Sequence, residues 1–100
     1  MSETLVRAPA QLTAQTRGPF RDEALASLAL LGTDHSGGRL VIDLGVTERI
    51  DSAGLGTLVM LQLRAAERRH AVVLRGVPEE VRFLLLMTHL EDRFEIEPRP

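Results

Sequence analysis

Residues 39–56 read RLVIDLGVTERIDSAGLG, and the fold turns on them. Leu40, Val41 and Ile42 form a short continuous apolar run, closed by Asp43 and the breaker Gly45. Such a run suits a central strand covered on both faces. From about Ala53 to Arg69 the period changes. Leu55, Leu58, Val59, Leu61, Leu63, Ala65 and Ala66 cover roughly half of a helix, with Arg64, Glu67 and Arg68 opposite. AVVLR at 71–75 then repeats the strand pattern and stops at Gly76-Val77-Pro78. Strand, long helix and strand make a βαβ unit, whose strands run parallel.

Outward from this unit the pattern continues. Pro78 suits a helix start, and Glu79 and Glu80 complement the positive end of a helix running to about His89. In that helix Val81, Leu84 and Leu85 face the sheet. Phe94–Ile96 is a further short strand, and Pro98-Arg99-Pro100 a frayed end. Upstream, Leu5–Thr13 reads as a strand in which Pro9 implies an edge or a bulge. Phe20–Leu31 has helical spacing in Ala24, Leu25, Leu28 and Leu31, and His35-Ser36-Gly37-Gly38 is turn chemistry. The predicted order is β-α-β-α-β-α-β, an α/β sheet with helices packed against it. One hundred residues hold one such domain, with a small two-layer core.

Composition removes several function classes. The net charge of -2 argues against nucleic-acid binding, which needs a basic face. All 12 basic residues are Arg, and Lys, Cys, Asn, Trp and Tyr are absent. No Cys means no thiolate nucleophile or thiolate metal site, and no Lys means no P-loop lysine or Schiff base. Phe20, Phe83 and Phe94 are too few for a base-stacking platform. No apolar run approaches the ~18 residues of a membrane span. There is no signal pattern at the N-terminus, so cytoplasmic residence is the default.

The sharpest chemistry lies at Ile50-Asp51-Ser52-Ala53-Gly54-Leu55-Gly56. Ser52 falls where the long helix begins, so it reads as the N-cap. A hydroxyl there sits beside unpaired backbone N–H groups and the positive helix end, which would also stabilise a phosphate on it. Gly54 and Gly56 each cost about 1 kcal/mol against Ala in a helix. In return they offer a surface bare of side chains. Asp43 ends the preceding strand and Asp51 precedes the serine, where open α/β sheets carry functional groups. The plainer reading makes Ser52 a cap only, the aspartates turn formers and the glycines packing features.

Residues 39–97 resemble the STAS domain, in particular bacterial anti-sigma factor antagonists. Asp-Ser-Ala-Gly at 51–54 matches that family's D-S-[SA]-G signature. A strand ending at Asp43, Gly-x-Gly at 54–56 and the closing L-x-x-x-F-E-I of 90–96 stand at the right spacing. The N-terminal region diverges. The family's early G-x-[LI]-D segment has only loose echoes in Gln11-Leu12-Thr13 and Arg17-Gly18-Pro19-Phe20. The resemblance implies a mixed β-sheet with helices packed on one side. It also implies a partner that is both an anti-sigma factor and a GHKL-type serine kinase. That kinase would phosphorylate Ser52, with Asp43 and Asp51 beside it, and phosphorylation would release the partner. The implied docking surface comprises Asp43, Asp51, Ser52, Ala53, Gly54, Gly56, Thr57, Met60 and Arg64. The chain itself is then no enzyme and needs no metal or cofactor; a weak homodimer is compatible. Two alternatives stay open: a STAS scaffold subunit of a lipid-transport ABC complex or stress-signalling assembly, and a nucleotide-binding STAS module.

Other residues carry less. Met60 reads either as an adaptable partner contact or as the edge of the core. Phe83, Met87 and Leu90 need cover, from the chain's own tail or from another chain. Arg64, Arg68 and Arg69 read as a solvated helix end or as a contact to an acidic partner. His35, His70 and His89 are scattered without metal-ligand spacing. A serine hydrolase is disfavoured, because the flanks of Ser52 lack G-x-S-x-G.

Overall fold

In the computed structural model, which describes residues 2–32 and 37–98, nine regular elements follow one another. They are β1 (Ser2–Arg7), β2 (Gln11–Leu12), α1 (Arg17–Leu30), β3 (Gly38–Asp43), β4 (Arg49–Ile50), α2 (Ser52–Glu67), β5 (Ala71–Arg75), α3 (Glu79–Met87) and β6 (Glu95–Ile96). A 3-10 turn at Glu91–Arg93 precedes β6. The main sheet has the order β1-β3-β5-β6, and β2 pairs with β4 in a separate two-stranded ladder. Every described pair is parallel, where the resemblance implied a mixed sheet.

The strand order explains why the helices share one side. Each step from β1 to β3, β5 and β6 moves in the same direction across the sheet, and each is bridged by one helix. Crossovers of one hand with no reversal of direction put all their helices on one face. Val6, Leu40, Ile42, Val72 and Leu74 point into that layer. They meet Phe20, Ala24 and Leu28 of α1, Leu58, Leu61 and Ala65 of α2, and Val81 and Leu85 of α3. The buried stripe of α2 is narrower than its apolar residues suggested. Gly54, Thr57, Leu58, Leu61 and Ala65 are inside, whereas Leu63 and Ala66 are exposed.

Among the described residues, the other sheet face carries side chains rather than helices. Arg39 on β3 lies 3.5 Å from Glu3 on β1 and 3.1 Å from Glu95 on β6, so one guanidinium stretches across the sheet. Arg75 and Glu97 pair at 2.9 Å, and Arg7 and Asp43 at 3.7 Å. Val41 and Val73 on this face are nevertheless fully buried. Arg39 and Arg75, ion-paired across this face, have long apolar stems of the kind that cover such positions.

Three local departures have clear causes. The strand predicted over Leu5–Thr13 is broken between Arg7 and Gln11. Ala8 N–H still bonds Asp43 O at 2.9 Å, but Pro9 has no N–H to continue the ladder. The chain bends there and Gln11–Leu12 pairs with Arg49–Ile50 instead. On α3, Phe83 and Met87 are 62% and 57% exposed, so the tail does not cover them; Leu90 alone packs against the core. His70 is buried, with its Nε2 2.8 Å from Gly32 O. The turn at His35-Ser36 and the end at Arg99-Pro100 lie outside the described residues. No described helix is long and apolar enough to cross a membrane.

Candidate functional site

The start of α2 is built by Asp51. Its backbone is extended (φ -104°, ψ -176°), the geometry of an N-cap, and its Oδ1 accepts the Gly54 N–H at 2.9 Å. Its Oδ2 accepts the Ala14 N–H at 3.1 Å, and its own N–H donates to Leu12 O at 3.3 Å. One aspartate therefore joins the helix start to the segment that follows β2. These contacts hold the Asp51 carboxyl below its ordinary value. The Gly54 N–H is the largest cause, the Ala14 and Ala53 N–H groups and Arg49 act the same way, and partial desolvation opposes them.

The predicted cap at Ser52 is corrected accordingly: Ser52 is the first residue of the helix, one position after the cap. An ionised carboxylate is the stronger acceptor at a positive helix end, so Asp51 takes that place. Ser52 is exposed, and capping does not consume its hydroxyl.

The glycines divide. Gly54 is buried, and a β-carbon there would overlap the Leu12 carbonyl oxygen and lie 3.0 Å from Ile50 Cγ1. The close approach it permits is by its own chain. Gly56 is exposed with nothing within 4 Å of an added β-carbon, so it leaves the surface bare as predicted.

The remaining predicted residues fall in several places. Ala53 is half-buried beside Ser52. Thr57 is buried and donates to Ala53 O at 2.9 Å, which turns it inward. Met60 is half-buried against the core. Arg64 is exposed, but twelve residues of helix put it about 18 Å along the axis from Ser52. It borders a small cleft with Leu25, Leu28 and Glu67. Asp43 alternates with the core-facing Ile42 and Leu44, so it projects from the sheet face opposite α2. Its Oδ1 accepts the Gly45 N–H at 2.8 Å and its Oδ2 faces Arg7. Ser52 and Asp51 are not among those partners. The surface at the head of α2 thus consists of Asp51, Ser52, Ala53 and Gly56.

One neighbouring feature escaped the sequence reading of this site. An open groove of about 360 Å³ runs between β4 and α3, lined by Arg49, Ile50, Phe83, Leu84 and Met87 among others. Its lining residue Ile50 immediately precedes Asp51 in the chain. The signal for it was present in the apolar run at 83–87, which needed cover.

Comparison with known proteins agrees with this architecture. A putative anti-sigma factor antagonist from Thermotoga maritima superposes with a TM-score of 0.76 at 20% identity, over 95% of this chain and 80% of that one. An anti-sigma-factor antagonist (STAS) domain protein from Planctomyces limnophilus gives 0.71 at 17% identity, over 96% and 82%. The murine Solute Carrier 26 family member A9 anion transporter gives 0.74 at 18% identity, over 99% of this chain and 16% of that one. At these identities the likeness is one of fold. The sequence itself matches the family model described as Mlab, STAS domain over residues 2–97, N-terminal region included. With a one-sided parallel sheet and Asp-Ser-Ala-Gly heading α2, this chain belongs to the STAS domain family.

Proposed function

We propose that this chain is an anti-sigma factor antagonist, working in the cytoplasm and switched by phosphorylation of Ser52. It binds an anti-sigma factor that is also a GHKL-type serine kinase, and the modified form lets that partner go. The observation that carries this reading is the pairing of Asp51 and Ser52. Asp51 caps the helix, so the exposed hydroxyl beside it stays available to an incoming phosphoryl group. The chain supplies only the acceptor; ATP and the catalytic residues belong to the partner.

The switch has a physical basis. A phosphate adds about -1.5 to -2 charges at the helix start. The positive end of α2 tolerates it, but Asp51 is already ionised there. An acidic or apolar partner surface seated on Asp51, Ser52, Ala53 and Gly56 would then face a concentrated negative charge and dissociate. Incubation with a GHKL-type anti-sigma kinase and ATP, read by intact mass, tests the proposal. One phosphate on the wild type and none on Ser52→Ala is the expected result. No gain on the wild type, or equal gain on both, rejects it.

A second reading has its own support. The matching family model is described as Mlab, STAS domain, and this fold superposes on 16% of the much larger murine anion transporter chain. On that reading the same surface is a scaffold contact in a transport assembly. Binding to a transport ATPase that is equal for Ser52→Asp and wild type would favour it, because a scaffold contact does not need the charge switch.

A further inference from the structure

β1 is the outermost strand of the main sheet and is six residues long. Its inner edge pairs with β3 from Ser2↔Gly38 to Arg7↔Asp43. Among the described residues no strand lies along its outer edge, so half of its backbone N–H and C=O groups face outward unpaired. The opposite edge of the sheet is blunted. There β6 has two residues, and Pro98 follows shortly after. Neither device protects β1.

The side chains of β1 have an order that fits one occupant. Glu3, Leu5 and Arg7 alternate onto the helix-free face, and all three are exposed, Leu5 by 53%. Glu3 and Arg7 stand at equal distances on either side of Leu5 and carry opposite charges. In an antiparallel pair of two β1 strands centred on Leu5, Glu3 lies opposite the partner's Arg7, and Leu5 opposite its own counterpart. The two-fold axis makes the ion pair twice. Thr4 and Val6 meet each other on the helix face. A parallel pair would instead oppose like charges, which is destabilising. A two-residue slip in the antiparallel pair sets a charge against Leu5. The existing contacts are long and leave both side chains usable: Glu3 reaches Arg39 at 3.5 Å, and Arg7 Nε lies 3.7 Å from Asp43 Oδ2.

We propose that β1 is a self-association edge, joining a second copy of this chain in an antiparallel pair centred on Leu5. The two four-stranded sheets then continue as one eight-stranded sheet with all helices on the same side. This is an isologous interface, closed by its own symmetry. It is independent of phosphorylation at Ser52.

Sedimentation velocity over a concentration series at low salt tests it. The wild type is expected to dimerise. Glu3→Arg alone and Arg7→Glu alone are each expected to weaken the dimer by roughly tenfold or more, since each places like charges in both cross-strand pairs. An equimolar mixture of the two variants should recover a one-to-one dimer, because the pairs between them are again of opposite sign. Phe83→Glu, on the exposed face of α3, should dimerise like the wild type. Far-UV circular dichroism of each variant checks that the fold is retained. A monomeric wild type, undiminished dimers of both charge variants, a mixture that fails to associate, or loss of the dimer in Phe83→Glu would each overturn the proposal.

Discussion

Gly54 on α2 packs directly against the carbonyl oxygen of Leu12 on β2. This contact sets how closely α2 approaches the short β2–β4 ladder. It also explains why a residue with poor helix propensity sits in the first turn.

Gly54→Ala is therefore expected to destabilise the fold. The added carbon must move backbone atoms of Leu12, at a cost of about 1–3 kcal/mol beyond the gain in helix propensity. Gly56→Ala meets nothing within 4 Å. It should stabilise by up to about 1 kcal/mol. Urea denaturation of the two variants separates the roles, and equal effects would contradict them.

Asp51→Ala should cost about 0.5–2 kcal/mol, the usual range for a lost N-cap. Here the tie to Ala14 is lost as well. Ser52→Ala should stay within about 0.5 kcal/mol of wild type, as expected of an exposed residue outside the cap. A larger loss for Ser52→Ala than for Asp51→Ala in thermal melts would reverse the assignment of the cap.

Acid should weaken the fold through two carboxylates. Hydrogen bonds from Gly54 lower Asp51 from its ordinary 3.8, and hydrogen bonds from Arg75 lower Glu97 from 4.5. A depressed native value means that the stabilisation is complete above the ordinary value and drains as pH falls through the native one. Denaturant midpoints should therefore drop below about those pH values. Asp51→Asn with Glu97→Gln should flatten the slope there. An unchanged slope would mean that these groups are not the ones titrating.

The two faces of α3 should respond oppositely. Leu85→Ala empties a fully buried position. It is expected to cost about 2–5 kcal/mol. Phe83→Ala removes a ring that is 62% exposed. Its effect on stability should be within about 0.5 kcal/mol. A large loss on Phe83→Ala in the isolated chain would show that the ring packs on this chain after all.

The alternation of strand and helix periods located nearly every element from residue 17 onward to within a few positions, α2 and β5 most closely. The Asp-Ser-Ala-Gly signature at 51–54 was legible for the same reason, since four adjacent residues at a helix start are a local feature. The broken strand at Pro9 was half legible: proline announced an interruption but not where the chain goes next.

By itself, then, the sequence determined the α/β order and the position of Ser52 at the head of the long helix. Tertiary structure decided which residue caps that helix, because the cap is locked by Ala14, 37 positions away. It also decided that Gly54 faces Leu12, that Asp43 projects from the sheet face opposite α2, and that β1 is the outermost strand of the described sheet. Periodicity reports how each segment divides its own faces between core and water. It carries no information on which distant segment meets each face, and that depends on the strand order of the folded sheet.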